Sequence, residues 1–214
     1  MPKIGGETLK SSIITTAGAL FHKNGYEKTT YQMIADELGI SKGSISYHFK
    51  SKPWIIYFYF FRYVQNMFSY IRENLTDTPN AFLIHCIEQI HFYRQVMKTE
   101  ENRKLFLNMD HMEIWEQENL FIIKDYFREI SRDFHRGMTE EDIHVAAIMS
   151  LGAKIGMFRE ADRYSDALDI DRFCYYFVHM IGLFSRLGEM IIHTNIARAF
   201  DFLEKHTIPF DDSL

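Results

Sequence analysis

Cysteine is scarce in this chain. The 214 residues include only Cys86 and Cys174, which excludes a framework of several disulfides and a four-cysteine zinc site. The first twelve residues lack the apolar stretch of a secretory signal. We therefore predict two buried, reduced thiols in a cytoplasmic protein.

Long apolar runs are absent as well. Residues 54–61 form the most apolar run, only eight residues long, whereas a membrane-spanning helix needs about 20. Proline and glycine are also sparse, at four and eleven residues, so little interrupts long helical patterns. The sequence predicts an all-α fold without membrane contact.

Motifs of enzymes and metal sites are missing too. The chain has no HExxH, no CxxC, no glycine-rich phosphate loop, and no serine or cysteine in a nucleophile elbow. No two of its ten histidines are three or four residues apart, the spacing that places two imidazoles on one helical face. We predict no catalytic residue, no metal ligand and no cofactor, and hence no enzyme.

Charge is divided unevenly between the two ends of the chain, although the net charge is −5. Residues 1–54 carry seven lysines and four acidic residues, a net charge of +3. The remaining residues carry 17 basic and 25 acidic residues, a net charge of −8. A basic end on an acidic body is typical of a protein of which one end meets the phosphates of a nucleic acid.

Three short helices are predicted in residues 8–50. Apolar residues recur at helical spacing over residues 13–21. Thr29 with Gln32 forms a capping-box pattern at the start of the second helix. Gly39 can end that helix in the left-handed conformation, which opens a tight turn.

The third of these helices has an unusual composition. Ser41 is a suitable N-cap, and the helix runs from Lys42 to about His48. Ile45 and, one turn later, Phe49 are its apolar residues, whereas the others are small or polar and have no core to face. A short helix held by two apolar residues, with a polar outer face, suits insertion into the major groove of DNA.

A set of residues at fixed spacing runs through this region. It consists of Ala17, Leu20, Phe21, Gly25, Tyr26, Thr29, Thr30, Ile34, Ala35, Gly39, Ile40, Ser41, Lys42, Gly43, Ile45, Tyr47, His48, Phe49 and Lys52. This set resembles the tetracycline-repressor-like (TetR) family. Members of that family are all-helical homodimers with an N-terminal DNA-binding head and a larger C-terminal domain that dimerises and usually holds an effector.

The resemblance implies two domains and a DNA-contacting surface. Residues 1–52 would form a three-helix helix-turn-helix head, and residues 53–214 a larger helical domain for dimerisation and effector binding. By position, the DNA-binding residues are Thr29, Thr30, Lys42, Gly43, Ser44, Ser46, Tyr47, His48 and Lys52. The two threonines would face a phosphate, and Lys52 would pair with another. The family usually has an aromatic residue where this chain has Ser46, so we expect the base-reading surface to differ there.

Six helical patterns follow Pro53, near residues 53–75, 80–98, 120–134, 139–159, 170–192 and 196–205. The inward face of the first is predicted at Tyr57, Phe61, Val64, Phe68, Ile71 and Leu75. The polar stripe of the second is predicted at Glu88, His91, Gln95 and Lys98.

The helices near 139–159 and 170–192 are the predicted dimer interface. Between Phe173 and Phe184 only His179 is appreciably polar, so apolar partners are needed on every side of that helix. The predicted interface residues are Ala146, Ala153, Phe177, Ile181 and Phe184. A buried central helix of a monomer is the alternative.

A cavity for a small apolar effector is predicted in the second domain. Its expected lining is Phe61, Gln65, Gln89, Tyr93, Phe106, Met109 and Trp115, which mix apolar walls with a few polar groups. Plain core packing would explain the same residues.

The sequence predicts a transcriptional regulator that binds double-stranded DNA specifically. We expect a homodimeric repressor that a small apolar effector releases from a palindromic operator. The alternative is a DNA-binding protein that organises the chromosome and has no effector.

Overall fold

A computed structural model describes residues 6–110, 113–163 and 169–208, without the side chains of residues 6, 7, 108–110, 113–116, 158 and 161–163. All regular structure in these ranges is helical, which confirms the predicted all-α fold. The helices are α1 (Gly6–Asn24), α2 (Tyr31–Leu38), α3 (Lys42–His48), α4 (Lys52–Asn74), α5 (Ala81–Lys98), α6 (Glu100–Asp110), α7 (Glu113–Asp133), α8 (Glu140–Arg163), α9 (Ile170–Phe184) and α10 (Glu189–Lys205). No helix within the described ranges is long and apolar enough to cross a membrane.

Helices α1, α2 and α3 form the three-helix head. Gly39 ends α2 with a φ of 63°, the left-handed conformation that glycine adopts without a steric cost. The Ser41 hydroxyl then accepts the backbone N–H of Ser44 at 3.1 Å, which starts α3. Ile45 and Phe49 are buried in the core of the head, as their spacing predicted.

The start of α2 lies one residue later than predicted. Thr30 is the N-cap, and its hydroxyl accepts the backbone N–H of Met33 at 3.2 Å. Thr29 is 1% exposed, and its hydroxyl is directed to the carbonyls of Leu20 at 3.0 Å and Gly25 at 2.9 Å. The capping-box prediction was wrong because the hydroxyl of Thr29 bonds to the end of α1 rather than to α2.

Helix α5 is the buried centre of the larger domain and contacts α4, α6, α7, α9 and α10. Glu88 and His91 are buried along with its apolar residues. The prediction that they mark a solvent-facing stripe was wrong, because neighbouring helices cover this helix on most of its circumference. Cys86 on α5 and Cys174 on α9 are buried thiols, as predicted.

Helix α4 connects the head to the larger domain. Tyr57 and Ile71 are buried as predicted, but Phe61 is exposed, and Val64, Phe68 and Leu75 are only half-buried. The predicted inward face therefore holds in part. The difference arises because α4 packs against several helices, α1, α5, α6 and α7, which together bury a second set of residues: Ile55, Ile56, Tyr59, Phe60, Tyr63 and Met67.

The contact between α1 and α4 is close at Gly18. A Cβ atom built on Gly18 would lie 2.1 Å from Cε2 of the buried Tyr59, so only glycine fits there. On the neighbouring turns, Arg62 Nη1 donates to the hydroxyl of Thr15 at 2.8 Å. The head and the larger domain are in direct contact, and the expected boundary between residues 52 and 53 falls within the first turn of α4.

The predicted helix over residues 170–192 is two helices. Helix α9 ends at Phe184 and α10 begins at Glu189. Arg186 adopts a φ of 59° in the turn between them, and Leu187 is buried. The apolar periodicity continues across this turn, which is why the pattern merged the two helices.

Candidate functional site

Helix α3 displays the predicted polar residues together on the surface of the head. Lys42, Gly43, Ser46 and Tyr47 are exposed, and Ser44 and His48 are half-buried. On the opposite side, Ile45 and Phe49 anchor the helix. The result is a short ridge of exposed or half-buried hydrogen-bonding groups on the outer face of α3, over residues 42–44 and 46–48.

Tyr47 is the most exposed aromatic residue of this ridge, at 86%. Its ring meets the ring of His48 edge-on, with the centroids 5.2 Å apart. Ser46 beside it is small and exposed. The aromatic group that α3 offers to a partner therefore comes from Tyr47, next to the position where the TetR family usually has one.

The fold does not require glycine at residue 43. A Cβ atom there would meet only the Ser41 hydroxyl oxygen, at an ordinary contact distance of 3.6 Å. Glycine within a helix costs about 0.5–1 kcal/mol relative to alanine. No contact within the chain compensates for this cost. A glycine without such an internal role is expected where the surface of a partner approaches the backbone closely.

Two of the predicted phosphate contacts do not fit the structure. Thr29 is buried, so its hydroxyl cannot reach a phosphate. Lys52 Nζ donates to the carbonyl oxygens of Tyr26 at 2.9 Å, Glu27 at 3.3 Å and Thr29 at 3.3 Å, and lies 4.2 Å from the centre of the Tyr26 ring. An ammonium group has three N–H donors, so these carbonyls use all of them. Lys52 therefore joins α4 to the turn before α2. Of the two predicted threonines, Thr30 is exposed at the start of α2 and remains accessible to a phosphate.

A cavity lies among α4, α5, α7, α8 and α9, with a volume of about 60 Å³. Its lining is Tyr57, Phe60, Phe61, Val64, His85, Glu88, Gln89, Phe92, Glu118, Asn119, Ile122, Ile123, Tyr126, Phe127, Ser150, Lys154, Phe177 and Ile181. That volume holds roughly four to six waters, so a larger ligand requires the helices to move apart.

The predicted pocket residues only partly line this cavity. Phe61 and Gln89 do so. Tyr93 packs instead against two phenylalanines of α9, Phe106 packs against Phe60 and Phe92, and Gln65 is exposed. The other two predicted residues, Met109 and Trp115, lie outside the described side chains.

One end of the cavity is polar. The Tyr126 hydroxyl donates to Glu88 Oε1 at 2.5 Å, and Glu88 Oε2 has no hydrogen-bond partner among the described residues. Both ring nitrogens of His85 also lack such a partner within that part of the chain, and Nδ1 lies 3.9 Å from Glu88 Oε2. Buried polar atoms without partners are costly, so this end is suited to a ligand that supplies hydrogen bonds.

Burial controls the ionisation of this polar end. It raises the pKa of Glu88 to about 7, against the opposing effects of the Tyr126 hydrogen bond and the charge of Lys154. Burial also lowers the pKa of His85 to about 3, and the charge of Lys154 acts in the same direction. Near neutral pH His85 is therefore uncharged, and the charge of Glu88 depends on its surroundings.

The predicted dimer helices carry an exposed apolar face, but mostly through other residues. Phe177 and Ile181 are 4% and 2% exposed, and Ala146 is also buried, because they pack within their own chain. Ala153 and Phe184 are half-buried. Assigning Phe177, Ile181 and Ala146 to an interface was therefore wrong. Among the described side chains of α8 and α9, the large apolar ones that are exposed are Val145, Ile148, Met149, Tyr176 and Leu183.

A cluster of possible metal ligands escaped the sequence analysis. His179 on α9 and Glu189 and His193 on α10 bring their ligand atoms within 4.8 Å of one another. The histidine-spacing rule considered pairs within one helix, whereas this cluster joins two helices across a turn. Ser185, Arg186 and Gly188, a short polar break in an apolar pattern, were the signal for that turn.

Residues 13–53 match the model of a family described as bacterial regulatory proteins, tetR family. The head of this chain is therefore similar to the DNA-binding head of that family. Over 73 residues it is 41% identical to the HTH-type transcriptional regulator YerO of Bacillus subtilis (strain 168), a match that covers 33% of this chain and 25% of that relative. The matched segment thus spans a quarter of the relative's length. A match to a family of regulatory proteins agrees with the prediction that the chain is not an enzyme.

Solved structures extend the likeness over most of the chain. SmeT, the repressor of the Stenotrophomonas maltophilia multidrug efflux pump SmeDEF, has a TM-score of 0.55 at 21% identity, covering 81% of this chain and 88% of that one. RolR in complex with resorcinol has a TM-score of 0.65 at 16% identity, covering 90% and 95%. These similarities show that the chain shares their fold.

The role of Lys52 can be separated from that of an exposed lysine. We expect Lys52→Ala to lower the free energy of unfolding by about 1–2 kcal/mol, because three carbonyl oxygens lose a charged donor. Lys42→Ala, which removes an exposed lysine of α3, is the matched control and should change it by less than about 0.5 kcal/mol. Urea denaturation of the three proteins measures this, and equal effects would contradict the assignment.

Glu88 should make stability depend on pH. The folded pKa of about 7 lies above the reference value of 4.5, so the folded state binds more protons between these values. The contribution of Glu88 to the free energy of unfolding therefore falls as pH rises from 4.5 to 7. Glu88→Gln should gain roughly 2–4 kcal/mol relative to the native chain over that interval. Urea denaturation at several pH values tests this, with the exposed Glu73→Gln as the control; a gain independent of pH would refute it.

Proposed function

We propose that this chain is a cytoplasmic, homodimeric transcriptional repressor that a small effector releases from DNA. The observation that carries the proposal is the exposed polar face of α3, fixed by Ile45 and Phe49 in a head that matches the tetR family. A helix of this kind reads base edges in the major groove.

The proposed DNA contacts divide into two groups. Lys42, Ser44, Ser46, Tyr47 and His48 face base edges or the flanking backbone, and Gly43 lets the duplex come close to α3. Thr30 at the start of α2 faces a phosphate, which the positive end of a helix favours. Thr29 and Lys52 support this surface from within the head.

A two-fold dimer would place two heads on one operator. The exposed apolar residues of α8 and α9, Val145, Ile148, Met149, Tyr176 and Leu183, are suited to such an interface because exposed apolar patches on paired helices favour self-association. Two heads related by this symmetry would contact half-sites of a palindrome about 34–36 Å apart.

The cavity is the proposed effector site. Its walls are largely aromatic and aliphatic, and Glu88 and His85 form a polar end. We therefore propose a small, largely apolar effector that carries a hydrogen-bonding group. RolR, which shares the fold, was solved with resorcinol, a compound of this general kind.

Helix α4 provides the coupling between the two sites. Tyr57 and Phe61 line the cavity, and Tyr59 on the same helix packs against Gly18 of the head. A ligand that widens the cavity displaces α4 and with it the head. Because such coupling is reciprocal, DNA must weaken effector binding by the same factor.

Selection of bound sequences from random duplex DNA tests the proposal. We expect the native chain to enrich a two-fold symmetric site. Gly43→Ala should equal or exceed the native melting temperature, because alanine is the better helix former, yet bind the selected duplex about tenfold or more weakly. Thr194→Ala, an exposed change on α10, is the control and should bind like the native chain. Native affinity in Gly43→Ala would contradict close approach at α3.

The effector is tested on the selected duplex. We expect at least one compound among resorcinol and related small phenols to release the native chain from the duplex. Val64→Phe, which fills the cavity, should bind the duplex but resist release. If none of these compounds releases the chain, and if its bound sites lie away from promoters, the results would favour a chromosome-organising protein without an effector.

A further inference from the structure

The turn between α9 and α10 brings together three side chains that the cavity and α3 do not involve. His179 Nε2 lies 2.8 Å from Glu189 Oε2, and His193 Nε2 lies 3.3 Å from the same oxygen. The ligand atoms of all three residues are within 4.8 Å of one another. Two imidazole nitrogens and a carboxylate oxygen thus converge from two helices on one point.

We propose that His179, Glu189 and His193 bind one divalent transition-metal ion of the zinc class. Two imidazoles and one carboxylate form a ligand set that zinc accepts, whereas Mg²⁺ and Ca²⁺ prefer oxygen ligands alone. Three protein ligands leave a fourth position for water or another small ligand.

Metal binding would require only a small rearrangement of the three ligand side chains. With bonds of about 2.0–2.2 Å, the ligand atoms of a tetrahedral zinc site lie roughly 3.3 Å apart. Glu189 and His193 are more than half exposed, so their side chains can rotate by the small amount needed without disturbing the core.

Tyr175 holds one of the ligands in place. Its hydroxyl is hydrogen-bonded to His193 Nδ1 at 2.8 Å, which directs Nε2 toward Glu189. With a metal bound, Nδ1–H donates to this hydroxyl and Nε2 keeps its lone pair for the ion. Such an outer partner is what metal-binding histidines ordinarily have. The Tyr175 ring also stacks on both His179 and His193.

The backbone fixes the separation of the two helices. A Cβ atom on Gly182 would lie 2.7 Å from Ile192 Cγ1, so α9 and α10 are in close contact beside the cluster. The Ser185 hydroxyl donates to the carbonyl of Ile181 at 2.9 Å and closes the end of α9. The ligands are therefore brought together by the fold and need no large movement to meet an ion.

Calorimetric titration of the metal-stripped full chain with ZnCl₂ tests the proposal. We expect one ion per chain, with binding about 100-fold or more weaker in Glu189→Gln and in His193→Gln. Tyr175→Phe should weaken it about 10- to 100-fold, the range for loss of an outer partner. His144→Gln, which removes an exposed histidine of α8, is the matched control and should bind like the native chain. MgCl₂ should give no binding.

Thermal unfolding gives an independent result, because an ion that binds only the folded state raises the melting temperature. Zn²⁺ should raise it for the native chain and His144→Gln but not for Glu189→Gln, whose unchanged helical circular dichroism would show that it folds. Equal zinc affinity in the native chain, Glu189→Gln and His193→Gln would overturn the proposal. So would absence of binding to the native chain, which would leave the cluster a group of hydrogen-bonded side chains.

Discussion

The close contact between Gly18 and Tyr59 packs the head of this chain directly against the larger domain. Because no side chain fits between them, α1 lies directly against α4. Neighbouring residues of α4, Tyr57 and Phe60, line the cavity on another side of the same helix. A displacement of α4 must therefore move α1 or break a close-packed contact, and packed interfaces tend to move as units rather than deform gradually.

Features that depend on a few neighbouring residues could be predicted from the sequence. Gly39 and Ser41 were placed correctly at the turn between α2 and α3 because both act on backbone groups within a few residues. Burial could not be predicted in the same way. Glu88 and His91 were assigned to a solvent-facing stripe by their polarity, yet they lie on α5, which neighbouring helices surround. Only the arrangement of those helices decides which polar residues become buried.

The same limit applies to the candidate sites. The ridge on α3 could be predicted because all its residues lie within seven positions. Lys52 could not, because a lysine near a helix start serves a phosphate or a cluster of carbonyls equally well, and its partners lie about 25 residues earlier. His179 and His193 come together only because the chain reverses between α9 and α10.

The positions of Lys52 and Arg62 determine where the head of this chain could be joined to the larger domain of another protein. The segment matched by the family ends at residue 53, but the groups that hold the head extend to Arg62 on the third turn of α4. A chimaera joined at residue 53 would pair α1 with a foreign surface opposite Gly18. A junction after Arg62 would carry the complementary surface with the head, so the structural unit of the head is longer than the segment that the family model matches.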